Sequence, residues 1–257
     1  MNTKEVHDLI TNKPGLFDRG DGTRIARIDS KGPGRRFIFC PGYMSDMTGS
    51  KAQMILSWGF EHKKAVTLFD YSGCGRSQGD FNDGSIARWR DDCLSIIDDV
   101  AEEQIVLIGS SMGGWVSLLA ALERKARVCG LILIAPAPDF TEWGLKAKIT
   151  PEMNRKMIRD GFITFDNPYG TDPYRYTSKM LEESAPLTLL HQPIPFQGPV
   201  HILHGQQDAE VPWDISLRLM DKLESEDVTL TLIKNGTHRL SDDDNLNTLV
   251  QVLRQFA

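Results

Sequence analysis

The chain has 257 residues, 40% hydrophobic and 25% charged, with 35 acidic against 29 basic side chains and a formal net charge of −6. This length and apolar content suit a soluble folded protein of one or two domains and exclude a disordered chain. The acidic balance argues against nucleic acid as a partner, because a broad grip on phosphates needs clustered Lys and Arg.

The N-terminal MNTKEVHDLI has no apolar run of signal-peptide type and carries Glu5 and Asp8. The expectation is a cytoplasmic protein. Thr23–Asp29 and Arg36–Cys40 read as early strands, with KGPGR as the turn between them. Thr48–Phe60 reads as a helix, and Ala65–Phe69 as a strand that runs into the Gly-rich loop DYSGCGRSQGD. Ser85–Glu102 has helical periodicity, with Ile86, Trp89, Cys93, Ile96, Ile97 and Val100 on one side. The strand Ile105–Ile108, a helix over Met112–Arg124 and the strand Val128–Ala135 follow. The run Val128–Pro138 is the most apolar, yet too short for the ~20 residues of a membrane span.

This strand–helix alternation predicts an α/β fold, a mostly parallel central sheet with helices on both faces. It lapses between Phe140 and Pro199, where Pro151–Gly161 and Tyr174–His191 read as helices and loops. It resumes with the strand Val200–His204, a helix over Trp213–Glu224, the strand Val228–Ile233 and a last helix from Asp242. The expectation is a single domain over 1–257, with residues 141–198 inserted as a small helical lid. Cys40, Cys74, Cys93 and Cys129 form no CxxC pair, and no ligand cluster has metal spacing, so no cofactor or metal is expected. The sequence leaves the oligomeric state open.

The chemistry-bearing signal is Gly109-Ser110-Ser111-Met112-Gly113, a GxSxG between a strand and a helix. In that context the serine sits in a tight turn that lifts its Oγ above the sheet, and the glycines prevent collisions. A serine hydroxyl is a weak nucleophile and needs a base, which in turn needs an orienting acid. Among six histidines, His238 follows a strand and precedes the last helix, in KNGTHRLSDDD. That loop can reach the carboxyl edge of the sheet, where ligands bind. His201 and His204 read as structural. For the acid, Asp208 in HGQQD follows Val200–Leu203, and Asp139 in APAPDF is its rival. The second oxyanion donor, beside the Met112 N–H, is expected at the Tyr43 N–H in the loop PGYMSD. In the lid, Met153, Met157, Ile158, Phe162, Phe165, Met180 and Leu181 are candidates for lining an acyl pocket, the alternative being that they form the lid's own core.

The ordered set PGYMSDMTGSKA, FDYSGCGRSQGDF, RWRDD with SIIDD, GSSMGGW, HGQQDAEVPW and THR resembles an α/β-hydrolase. More narrowly, it is similar to the family of the mitochondrial palmitoyl-protein thioesterase, also described as an acyl-glucuronide esterase. The resemblance spans roughly residues 23–255 and is weaker in the lid. It implies the α/β-hydrolase fold, a triad of Ser111, Asp208 and His238, and oxyanion donors at Tyr43 and Met112. The implied activity is serine-dependent hydrolysis of a carboxylic ester or thioester, with a small-molecule or acylated substrate. C–C bond hydrolysis or perhydrolysis on the same triad, and a catalytically silent binding protein, are the alternatives.

Overall fold

The computed structural model describes residues 3–102 and 104–257; Met1, Asn2 and Glu103 lie outside them. The chain opens with α1 (Thr3–Asn12), β1 (Gly15–Asp18) and β2 (Arg24–Ser30), then β3 (Arg36–Cys40), α2 (Ser50–His62), β4 (Ala65–Phe69) and α3 (Ile86–Asp99). It continues through β5 (Ile105–Ser110), α4 (Met112–Glu123) and β6 (Val128–Ile134). Between β6 and the next strand of the large sheet lie α5 (Pro151–Asp160), β7 (Phe162–Phe165), β8 (Tyr174–Thr177) and α6 (Ser178–Ser184). The chain closes with β9 (Val200–Gly205), α7 (Asp214–Lys222), β10 (Val228–Ile233) and α8 (Asp243–Gln255).

Eight strands form one sheet in the order β1-β2-β4-β3-β5-β6-β9-β10. β2 pairs antiparallel with β1 and β4, and every pair from β4 to β10 is parallel. The pleat sends alternate side chains to opposite faces. Ile38, Leu107, Leu131 and Ile202 meet Trp89, Trp115 and Ile215 of α3, α4 and α7 on one face. Phe37, Val106, Ile132 and Leu203 meet Ile10, Trp58 and Leu253 of α1, α2 and α8 on the other. Covered on both sides, β3 and β5 are buried along their whole length. The predicted α/β architecture therefore stands, with α1 and β1 added at its start.

The segment 141–198 departs from its expected helical character. α5 matches the expected Pro151–Gly161, but β7 and β8 form a separate antiparallel hairpin, pairing Phe162 with Thr177 and Phe165 with Tyr174. Within Tyr174–His191, read as helices and loops, the helical part is α6 and a short 3-10 turn. The physical reason is the side chains. Phe-Ile-Thr-Phe and Tyr-Arg-Tyr-Thr are β-branched and aromatic runs that alternate across a pleat. Thr177 then starts α6 by capping the Met180 N–H.

Among the described residues, no helix is long and apolar enough to cross a membrane.

Candidate active site

The parallel strands β3, β5, β6, β9 and β10 end along one edge of the sheet, so the loops after them converge there. Ser111 follows β5 in the left-handed region, with φ 54° and ψ −119°. Such a backbone is strained for a side-chain-bearing residue, and it aims Oγ away from the sheet. The flanking glycines are required by contact rather than by flexibility. A Cβ on Gly113 would stand 2.1 Å from the Cys40 carbonyl oxygen, and one on Gly109 2.4 Å from that of Gly113. The loop after β3 runs directly beside the turn, since a Cβ on Gly42 would lie 3.5 Å from Ser111 Cβ.

Three side chains from three loops form a hydrogen-bonded series. His238 Nε2 lies 3.0 Å from Ser111 Oγ, and His238 Nδ1 lies 2.7 Å from Asp208 Oδ2. Nδ1–H donates to the carboxylate, which leaves Nε2 free to accept the serine O–H. Asp208 has a fully buried side chain, and its Oδ1 accepts the backbone N–H groups of Glu210 at 2.9 Å and Val211 at 2.8 Å. Burial alone would raise its pKa. Hydrogen bonds from His204 and His238, the His238 charge and the Val211 N–H outweigh that and hold the carboxyl well below the usual carboxylate range.

His204, read from sequence as structural, proves to be part of this network. Its Nε2 lies 3.1 Å from Asp208 Oδ2 and 3.0 Å from the Val211 carbonyl, and its Nδ1 lies 2.6 Å from Ser216 Oγ. Two acceptors around Nε2 place the proton there, so Nδ1 accepts from the Ser216 hydroxyl. The signal in the sequence is the spacing His204-x-x-x-Asp208 across the end of β9. Pattern reading gives such a histidine no role, because only its neighbours in space do.

Asp139, the rival acid, is occupied elsewhere. Its carboxylate accepts the N–H groups of Leu189 at 2.8 Å and Leu190 at 2.7 Å, so it anchors the far end of the inserted segment. Burial is the main cause of its raised pKa.

Ser111, Met112, Tyr43 and His238 line one cavity of about 760 Å³, a size suited to small-molecule ligands. Met112 opens α4, so its N–H has no acceptor within the helix. Tyr43 does more than lend a backbone group to the lining. Its ring stacks on Tyr176 with centroids 4.9 Å apart and planes 6° apart, and its hydroxyl donates to the Arg175 carbonyl oxygen. The β7–β8 hairpin is thereby fastened to the loop after β3.

Of the lid candidates, Phe165 lines the cavity, whereas Met153, Met157, Ile158, Phe162, Met180 and Leu181 are not among the lining residues. Met180 is buried in the main core beneath the segment, and Met157 is buried too. Phe162 falls on the face of the hairpin opposite Phe165, Tyr174 and Tyr176, with the Arg175 guanidinium 3.5 Å over its ring. The segment also lines the cavity through Trp143, Tyr169, Tyr174 and Tyr176, and Phe140 joins them from just before it. A helical reading of this stretch loses the period of two that separates Phe162 from Phe165.

A sequence profile described as the alpha/beta hydrolase family matches residues 37–251. The chain belongs to this family. The mitochondrial palmitoyl-protein thioesterase ABHD10 of Rattus norvegicus is 38% identical over 225 residues, covering 87% of this chain and 75% of the relative. The human protein of the same name is 35% identical over 239 residues, covering 93% and 78%. A putative hydrolase from Agrobacterium vitis S4 superposes with a TM-score of 0.90 at 32% identity, covering 95% of this chain and 98% of that one. The mouse alpha/beta hydrolase domain-containing protein 10 gives 0.87 at 35%, with the same coverage. The fold is thus the α/β-hydrolase fold, and hydrolysis of esters or thioesters is the activity at the level of the family. The expectation of a cytoplasmic protein is corrected here, because these thioesterase relatives are named as mitochondrial.

Proposed function

We propose that the chain hydrolyses acyl esters or thioesters through an acyl-enzyme on Ser111. The carrying observation is the unbroken series Ser111 Oγ, His238, Asp208 at the wall of a cavity. His238 Nε2 takes the Ser111 proton as Oγ attacks the acyl carbon. The backbone N–H groups of Met112 and Tyr43 donate to the oxyanion that forms, Met112 with its helix N-terminus behind it. Asp208 holds the His238 tautomer and stabilises the imidazolium. His238 then gives the proton to the departing oxygen or sulfur, and water attacks the acyl-enzyme with His238 as base again.

The segment 141–198 acts as a lid whose hairpin, rather than its helices, covers the nucleophile. S-acylated protein or a related small acyl donor is the substrate class that the thioesterase relatives support.

The test is a panel of p-nitrophenyl esters, acyl-CoA and S-acyl peptide, run on wild type and Ser111→Ala. Ester or thioester turnover that vanishes in Ser111→Ala supports the reading. Background rates on all of these while a diketone is consumed would overturn it.

A further inference from the structure

Glu210 takes no part in the steps above, yet it faces them. It sits two residues beyond Asp208, and the bond from its N–H to Asp208 Oδ1 fixes its backbone. Its side chain joins the cavity wall, with Oε2 3.9 Å from His238 Nε2. Oε1 is buried and meets no hydrogen-bond donor among the described residues. Nor does any Lys or Arg there come within ion-pair distance of this carboxylate, whose one such neighbour is His238. An acceptor buried without a donor is costly, and a substrate that brings a donor removes that cost.

The position says which part of a substrate would bring it. His238 Nε2 returns the proton to the leaving atom, so that atom comes to about 3 Å from Nε2. A carboxylate 3.9 Å from the same nitrogen then stands beside the next one or two carbons of the leaving group. The walls around it are aromatic. The Tyr169 phenol, already pushed up by burial, is pushed further by a hydrogen-bonding contact with Glu210 and by its charge, so the carboxylate has one protein donor beside it while Oε1 has none, and Tyr174 and Tyr176 feel the same charge. Ring faces beside a carboxylate favour positive charge and hydroxyl donors alike.

We propose that Glu210 is a specificity-determining residue, selecting leaving groups with an electropositive substituent, a hydroxyl hydrogen or a cation, at the second carbon from the scissile atom. Leaving groups with a negative charge there are disfavoured. The proposal rests on the acyl-enzyme reading of Ser111.

The experiment compares kcat/KM for butyrate esters of ethanol, ethylene glycol, choline and glycolic acid, with p-nitrophenyl butyrate as reference. Wild type, Glu210→Gln and Glu210→Ala are measured, with thermal melting to show that each is folded. In wild type the glycol or the choline ester is expected to exceed the ethyl ester about tenfold, with the glycolate ester slowest. Glu210→Ala should collapse these ratios towards one. Glu210→Gln, which keeps an acceptor without the charge, should retain a preference for the glycol ester and lose any for choline, so the two sources of the effect separate. The same ratios in wild type and Glu210→Ala, or a glycolate ester that is the best wild-type substrate, would overturn the proposal. Absence of turnover of every ester, p-nitrophenyl butyrate included, would overturn the acyl-enzyme reading, and the role of Glu210 would fall with it.

Discussion

Strands β3 and β5 are buried at every position, whereas the hairpin strands β7 and β8 bury one residue each, Ile163 and Thr177. The first pair lies between two layers of helices. The second lies over a cavity, with Phe165, Tyr174 and Tyr176 turned towards it. The difference teaches where each kind of residue is held. Ser111 and Asp208 stand on loops after β5 and β9, which are buried along their whole length in a close-packed core, and His238 on the loop after the edge strand β10. Part of the cavity wall, Phe165, Tyr174 and Tyr176, stands on a small two-stranded unit fastened to the loop after β3 through Tyr43.

The largest expected effect tests that division at its chemical end. His238→Ala and Asp208→Asn are each expected to lower kcat by about 10³- to 10⁴-fold, His238→Ala with a melting temperature near wild type and Asp208→Asn with some loss of stability, because the Glu210 and Val211 N–H groups lose a charged acceptor. Asp139→Asn should keep most of the activity and instead lose about 1–3 kcal/mol of stability, because Leu189 and Leu190 lose a charged acceptor. Steady-state kinetics beside urea denaturation would show it, and a dead Asp139→Asn beside an active Asp208→Asn would reverse the assignment.

Asp70 tests the rigidity of the core side through pH. It accepts the Met47 N–H at 2.7 Å and the Arg76 N–H at 2.9 Å, so it ties the loop after β3 to the loop after β4. Burial raises its carboxyl to about 6, against the opposing pull of those N–H groups. The folded protein then binds more protons than the unfolded chain between about pH 4 and 6. Stability from this group is present below the unfolded pKa and is lost as pH rises through that window, by about 3 kcal/mol. Asp70→Asn should flatten this slope in unfolding curves taken across the window.

His204→Phe removes one donor from Asp208 without touching Ser111. We expect kcat to fall about tenfold with KM little changed, and His204→Gln to restore most of it by returning an N–H near the Nε2 position. Equal losses in both variants would mark His204 as a packing residue. The smallest effect belongs to the hairpin. Tyr43→Phe deletes the donor to the Arg175 carbonyl, should cost about 1 kcal/mol, and should speed amide hydrogen exchange in β7 and β8 while leaving β5 protected.

The same contrast explains what could be read in the sequence. Apolar runs such as Ile105–Ile108 mark strands buried on both sides, and a GxSxG between strand and helix marks its own turn, so the order Ser111, Asp208, His238 was legible as an expectation. α1 was not, because only Val6 and Ile10 of its ten residues belong to the core. β7 and β8 were missed because four-residue strands are too short for a period to be counted. The lining followed from that miss, with Phe162 and Phe165 both placed in the pocket although a period of two sends only Phe165 there. His204 and Glu210 escaped because their meaning lies in distances to Asp208 and His238, which no spacing rule encodes.

Tyr43 joins the two regions in one residue. Its backbone borders the turn at Ser111, and its ring and hydroxyl hold Tyr176 and Arg175 of the hairpin. Thermodynamic reciprocity then applies to the pair. Whatever factor a ligand under the hairpin contributes to anion binding at the serine turn, an anion there returns to that ligand by the same factor. The Tyr43 ring is the place in the molecule where such a coupling would be read.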